Sequence, residues 1–148
     1  DNNISAQRFK RFEESRKAEI YEQQEMQIRQ EASFSEKFAQ FSDYYNPRII
    51  GELNGQQVKA VKLKGEFVWH HHAEEDELFL VIKGKLLMEF REKTVEVNPG
   101  EFIIVPRGVE HRPVADDEVH VLLFEPASTL NTGNVENERT RRNLEKIS

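Results

Sequence analysis

The spacing of hydrophobic and polar positions divides the chain into a helical first third and a β-rich remainder. From Ser5 to about Glu31 the residues are strong helix formers, Glu, Gln, Arg, Lys and Ala without Gly or Pro, and they predict one long helix. Its apolar residues Phe9, Phe12, Ile20, Met26 and Ile28 make only a broken stripe. Such a stripe covers a small patch of the body or of a partner subunit, or leaves the segment a solvated arm. Ser33 opens a second helix. With Glu36 it fits a capping box, and Phe34, Phe38 and Phe41 fall at i, i+4 and i+7, the spacing of a face that packs on a core. Asn46-Pro47 is the expected stop, because proline removes a donor and disfavours helix at the residue before it.

Beyond Pro47 the period shortens to two. Val61 and Leu63 alternate with Lys62 and Lys64, the pattern of a half-buried strand. Ile49 to Leu53 and Gln57 to Lys64 are predicted to pair across Asn54-Gly55, a strong hairpin signal. Further strands are expected at Phe67 to His72, Glu77 to Ile82, Lys85 to Arg91, Thr94 to Val97, Phe102 to Pro106, His111 to Ala115 and Val119 to Glu125. Turns are expected at Gly84, Asn98-Pro99-Gly100 and Asp116-Asp117. Many short strands with regular turns and no helices between them indicate an all-β barrel or sandwich. After Pro126 a loop is expected, and Val135 to Lys146 reads as a short charged helix or a frayed tail. The organisation is therefore an N-terminal helical extension over residues 1–32, a β domain over 33–132 and a charged tail over 133–148.

Composition narrows the partners. The chain has 148 residues, enough for one domain with a sizeable core and too few for two ordinary ones. A net charge of −6 argues against a nucleic-acid footprint, which needs a basic face. No apolar run is long enough to span a membrane. The first residues, DNNISAQRFK, lack the apolar core of a signal peptide; without an initiator Met the chain reads as processed or trimmed, and the cytoplasm is the expected compartment. The absence of cysteine leaves a metal site only nitrogen and oxygen donors.

Those donors cluster in Gly65 to Gly84, GEFVWHHHAEEDELFLVIKG. On an extended strand His70 and His72 share a face while His71 points the other way. Glu77 opens the next strand, so its carboxylate can swing back toward the imidazoles, and two nitrogens with an oxygen make a metal cage. The same alternation turns Phe67 and Trp69 outward, where they need a cover. A second stretch, Gly100 to His111, GEFIIVPRGVEH, is a short apolar strand, a Pro-x-Gly turn and a histidine that re-enters the structure. Glu74-Glu75-Asp76 reads as a solvated loop and His120 as a structural or exposed residue. Arg91, Arg107, Tyr44 and Tyr45 are within conceivable reach of a ligand, though nothing in the sequence places them.

Together the two stretches resemble the cupin superfamily. The first pattern, G(x)5HxH(x)3-4E(x)6G, is matched by His70, His72, Glu77 and Gly84, with four residues rather than five between Gly65 and His70. The second, G(x)5PxG(x)2H(x)3N, is matched by Gly100, Pro106, Gly108 and His111, with Ala115 at the Asn position. That Asn is not a metal ligand of the family, so Ala115 bears on local hydrogen bonding. The short gap from Lys85 to Pro99 suits a single hairpin, as in the small one-domain members. The resemblance covers roughly Phe34 to Thr132. It implies a cupin double-stranded β-helix, a jelly-roll-like barrel, with His70, His72, Glu77 and His111 as ligands of a divalent transition metal ion. Nitrogen and oxygen ligands accept Zn, Fe, Mn, Ni, Co or Cu, so the metal is not readable.

Three imidazoles and one carboxylate leave open positions on an octahedral ion, the mark of a catalytic rather than a closed structural site. The reading is a metalloenzyme of isomerase, lyase or dioxygenase type acting on a small polar metabolite, with Glu77 the residue best suited to loosen and move a proton. The competing readings are a non-catalytic metal and small-molecule binding or sensing module, and a metal-free sugar-binding barrel, in which loss of the ligand set would be expected. Small cupins resemble one another in pairing through covered outer faces, so a homodimer is expected.

Overall fold

The computed structural model describes residues 2–28 and 32–148. Two compact units divide the chain, one N-terminal to residue 32 and one spanning residues 32–148. The first is a helix, α1 (Asn2–Ile28), in which Phe9, Phe12 and Ile20 are exposed. The stretch 29–31 of the expected helix, and the side chains of Met26 and Ile28, lie outside what the structure describes.

The second unit starts with α2 (Phe34–Phe38), only five residues long. Ser33 takes the N-cap position with extended backbone, but its hydroxyl makes no cap bond and meets Ser35 Oγ at 3.2 Å instead, so the expected capping box is not formed. The helix also stops well short of Asn46-Pro47. Phe38 and Phe41 are nonetheless buried, with Ile50 and Ala60, against the outer face of the sheet. Their packing, not the cap, holds this element.

Seven antiparallel strands follow: β1 (Arg48–Leu53), β2 (Gln56–Glu66), β3 (Glu77–Lys83), β4 (Leu86–Phe90), β5 (Thr94–Val97), β6 (Phe102–Val105) and β7 (His111–Pro126). The order across the sheet is β1-β2-β7-β3-β6, with β4 bridging β7 to β5. The β1–β2 turn forms as expected: Asn54 and Gly55 take φ of 50° and 77°, the paired positive values of a two-residue hairpin turn. The fold is the all-β barrel that the alternation and the resemblance imply.

Two expected strands fuse. β7 runs unbroken through Asp116-Asp117, where a turn was expected, because the irregularity is taken up within the ladder. Leu63 pairs with Val119 and Gly65 with Ala115, so Lys64 alone faces Asp116, Asp117 and Glu118. A bulge bends a strand without ending it. Before the bend β7 pairs with β4, His111 opposite Phe90; after it β7 pairs with β3, Val121 opposite Val81. One strand thus serves both walls.

Two other expectations are corrected. Phe67 to His72 forms no regular strand: its one ladder contact is an isolated bridge between His70 and His111. Phe67 consequently escapes strict alternation and turns into the core at 8% exposure, stacked on Tyr45 at 4.7 Å. Trp69 stays half-buried, with the Arg91 guanidinium 3.8 Å above its ring. The tail from Val135 to Lys146 forms no helix. Its polar side chains capture backbone N–H groups locally, Arg139 N donating to Asn137 Oδ1 at 2.9 Å and Arg141 N to Asn131 Oδ1 at 2.8 Å, which competes with helical bonding. The end of the chain then docks on β1, Ile49 N donating to Glu145 O at 2.9 Å and Ile147 N to Ile49 O at 3.0 Å.

Candidate metal centre

The four residues expected to hold a metal come from three places. Glu77 is the first residue of β3 and His111 the first of β7, so both project from strand starts into the barrel. His70 and His72 lie on the irregular segment before β3, fixed by backbone bonds rather than by a ladder. His70 N donates to His111 O at 3.0 Å and His111 N to His70 O at 2.9 Å, while Gly108 N donates to His72 O at 2.7 Å. The turn of the second motif therefore holds the backbone of the first.

The C-terminal loop closes on the same segment. Asn134 N donates to His71 O at 3.1 Å, and His71 N donates to Asn134 Oδ1 at 2.9 Å. Beside it Gly133 has φ of 56°, and a Cβ there would fall 2.2 Å from His71 O, so only glycine lets the loop approach this closely.

One ligand atom from each of His70, His72, Glu77 and His111 lies within 4.8 Å of the others. All four side chains are buried. His72 Nε2 is 3.3 Å and His111 Nε2 3.4 Å from Glu77 Oε1. His70 Nδ1 bonds Val68 O at 2.9 Å and His111 Nδ1 bonds Val109 O at 2.9 Å. As carbonyls only accept, both Nδ1 atoms carry the proton, and each Nε2 presents its lone pair inward. His71 points away and is half-buried, as alternation requires.

Whether this set fits a metal is decided by its unsatisfied atoms. His72 Nδ1 and Nε2, His111 Nε2 and Glu77 Oε1 are all buried without a hydrogen-bond partner among the described residues. Leaving so many polar atoms dry and unpaired in one spot is costly, and a cation bound by them would satisfy three of the four at once. The residues fit. Electrostatics agree: burial first, then the neighbouring His111, lowers His70 to about 4, so its ring is the neutral form that binds metal. Burial pushes the Glu77 carboxyl up, but hydrogen bonds with Glu125, His111 and His72 outweigh it and hold Glu77 well below its usual range.

A cavity of about 40 Å³ adjoins the centre, bounded by His70 and Glu77 and by the apolar side chains of Tyr45, Phe67, Phe79 and Leu123. The Tyr45 hydroxyl is turned away, donating to Gly65 O at 2.5 Å. Of the four residues the sequence left unplaced, Tyr45 reaches this cavity. The other three are engaged elsewhere: Arg91 with Glu110, Arg107 with Asp76 and Tyr44 with Glu118. His120 stacks on Phe38 at 4.5 Å and pairs with Glu118, outside the centre. Sequence reasoning missed Lys59 and Glu125, an ion pair inside the barrel. The available signal was a charge at an inward position of an alternating run, Val119, Val121, Leu123, Glu125.

Residues 59–125 match a family model described as a cupin domain. The uncharacterized protein YdbB of Bacillus subtilis (strain 168) is 38% identical over 78 residues, 52% of this chain and 63% of that protein. This chain thus spans less than two thirds of that relative's length. Among solved structures, a cupin-2 domain containing protein from Shewanella frigidimarina is similar at 42% identity with a TM-score of 0.65, covering 66% of this chain and 95% of that one. A protein from Neisseria meningitidis is similar at 26% identity with a TM-score of 0.61, covering 66% of this chain and 99% of that one.

Proposed function

We propose that this chain, which belongs to the cupin superfamily, is a metal-dependent enzyme that acts on a small molecule through His70, His72, Glu77 and His111. The observation that carries the reading is the group of buried ligand atoms without partners around Glu77 Oε1. A divalent transition ion held there supplies Lewis acidity toward an oxygen or nitrogen of the substrate. The chain does the rest. His70 and His111 are held in one tautomer by Val68 and Val109. Glu77, between two imidazoles and Glu125, is the group we take to accept and return a proton. The cavity beside it offers polar atoms at His70, Glu77 and Asn131 and a mostly apolar wall elsewhere. A substrate of the polar-metabolite class expected from the sequence would therefore have to present its polar end to the ligands and its carbon skeleton to Phe67, Phe79 and Leu123. Isomerase, lyase and dioxygenase chemistry all suit such a site.

The second reading is a non-catalytic module that binds metal and a small molecule for sensing or storage. Elemental analysis of the purified protein, followed by thermal shift of metal-stripped and metal-loaded samples against a metabolite panel, tests both. About one metal ion per chain, and a compound that stabilises only the loaded form, are expected. Turnover of that compound selects the enzyme; binding without turnover selects the module. A protein that takes up no metal and binds its ligand regardless would overturn both.

The reading takes the protein to work in the cytoplasm as a homodimer. Among the described residues no helix is long and apolar enough to cross a membrane. Phe102 and Ile104 project from β6, at the edge of the sheet order, at 61% and 52% exposure, an apolar pair suited to a second subunit. A monomeric mass at micromolar concentration would contradict the dimer.

A further inference from the structure

Lys59 and Glu125 are charged side chains buried in the barrel interior to which the metal reading assigns no task. β2 sends Lys59 inward in step with Val61 and Leu63, and β7 sends Glu125 inward in step with Val121 and Leu123. The register pairs Lys59 with Leu123, which puts Glu125 on its diagonal, and Lys59 Nζ donates to Glu125 Oε1 at 2.7 Å. The two residues are 1% and 2% exposed. Leu78 pairs with Phe124, so Glu77 and Glu125 are next in line across the same two strands.

Such a pair is a poor device for stability alone. Both charges have left water, and an apolar pair of the same volume would serve a barrel core as well or better. Nor is the pair self-sufficient: Glu125 Oε2 finds no donor among the described residues. What the Glu125 carboxyl meets is Glu77. Two carboxyl groups in contact in a dry interior share a proton rather than both ionise. The two side chains are joined by a hydrogen bond, which requires one such proton between them.

We propose that Lys59 and Glu125 are positioning residues for the metal centre: Lys59 anchors Glu125, and Glu125 holds the Glu77 carboxylate with Oε1 turned toward His72 and His111. The proposal rests on the four-residue centre being a metal site. It gives the buried pair a task that its cost in the core does not explain, and it adds an orienting partner for the ligand carboxylate to the backbone carbonyls that orient two of the imidazoles.

Cobalt(II) added to metal-stripped protein reads the proposal without any assay of activity, through its affinity and its visible absorption bands. Lys59→Met with Glu125→Met removes the pair at similar volume. The expected protein melts, metal-free, no lower than the parent, yet binds cobalt about 10–100-fold more weakly and with shifted bands. Lys59→Met with Glu125→Gln restores a neutral donor beside Glu77 and should return affinity to within a few-fold of the parent, a rescue that a space-filling role would not give. Should the doubly apolar protein not fold, Glu125→Asp, which retracts the carboxyl by one methylene, carries the same expectation of weaker binding and shifted bands. Cobalt binding within about twofold of the parent with unchanged bands, in the apolar pair or in Glu125→Asp, overturns the proposal; so does equal loss in the Met and Gln pairs. Failure of the parent itself to bind cobalt, or binding by His72→Ala equal to the parent, overturns the metal site beneath it and is distinct from either result.

Discussion

The barrel interior changes character from one end to the other along the same strands. On β3 the inward positions run Glu77, Phe79, Val81; on β7 after its bend they run, in the reverse direction, Glu125, Leu123, Val121, Val119; on β7 before the bend they run His111, Pro113, Ala115. The register sets these series side by side, so one end gathers imidazole and carboxyl groups while the other, with Leu86, Met88 and Val97, is wholly apolar. At the apolar end every side chain gains by leaving water. At the polar end buried atoms of His72, Glu77, His111 and Glu125 lack partners among the described residues. The comparison teaches that stability and the proposed ligand binding are separated lengthwise: one end holds the barrel closed so that the other can keep atoms unpaired. Four experiments test that division.

The largest expected effect is on metal. His72→Ala removes one of the four proposed ligands, and metal should fall from about one ion per chain to near none in elemental analysis of the purified variant. Because the alanine also removes two unpartnered buried nitrogens, the metal-free variant should melt close to the metal-free parent. If metal content were unchanged, the polar end would have no claim to be a binding site.

The converse change belongs at the apolar end. Met88 is fully buried in the core cluster, and Met88→Ala should cost about 2–5 kcal/mol of stability in urea unfolding of the metal-free protein. Metal per folded chain should stay at the parent value. Loss of metal in step with stability would show that the two ends are not separable.

Much of this division was legible in the sequence, and the parts that were not share a cause. The β1–β2 hairpin, the strands from Glu77 to Val105 and the approach of Glu77 to His70 and His72 followed from alternation and turn residues, which are local; the gathering of His111 with them was implied by the resemblance of the two motifs to the cupin superfamily. The inward turn of Phe67, the fusion of two strands into β7 and the docking of the tail on β1 were not legible. Each is decided by a partner distant in sequence: Pro113 O for Phe67 N, Lys64 for the bend, and Ile49 for Glu145 and Ile147. The Ser33 cap shows the reverse error, a local signal that matched while Ser33 Oγ found Ser35 instead. Lys59 and Glu125 fall between the two cases: alternation carried a signal for their inward positions that the sequence reading missed, and only the register of β2, β7 and β3 brought them to Glu77.

Acid sharpens the comparison by loading the polar end alone. His70 titrates at about 4 in the fold, against 6.5 for the free side chain, because burial and then His111 disfavour its charge. Between those values the unfolded chain binds a proton that the folded one refuses, so stability contributed at His70 is full above pH 6.5 and falls as pH drops toward 4, by up to about 3 kcal/mol. Glu125, whose carboxyl is raised, acts in the opposite sense, and a variant that leaves it in place cancels its part. Urea unfolding of metal-free parent and His70→Asn at pH 7 and pH 4.5 isolates the histidine. The parent should lose more stability over that interval than the variant; equal losses would mean that His70 is not held neutral by burial.

The smallest effect is expected one residue from the largest. His71 sits between His70 and His72 and offers the same ring, so composition gives no reason to separate it from them. Backbone direction does: from His70 to His72 the segment before β3 keeps the two-residue alternation although it forms no regular strand, burying His70 at 2% and His72 at 4% while turning His71 to a half-exposed position. What fixes His71 is its main chain, through Asn134 on both its N–H and its carbonyl, and an alanine keeps both of those bonds. His71→Ala should therefore leave metal per chain at the parent value and cost on the order of 1 kcal/mol or less. Elemental analysis and urea unfolding of His71→Ala beside His72→Ala make the measurement. Equal loss of metal in the two variants, or loss only in His71→Ala, would put the wrong face of this segment toward Glu77 and would remove His70 and His72 from the polar end together.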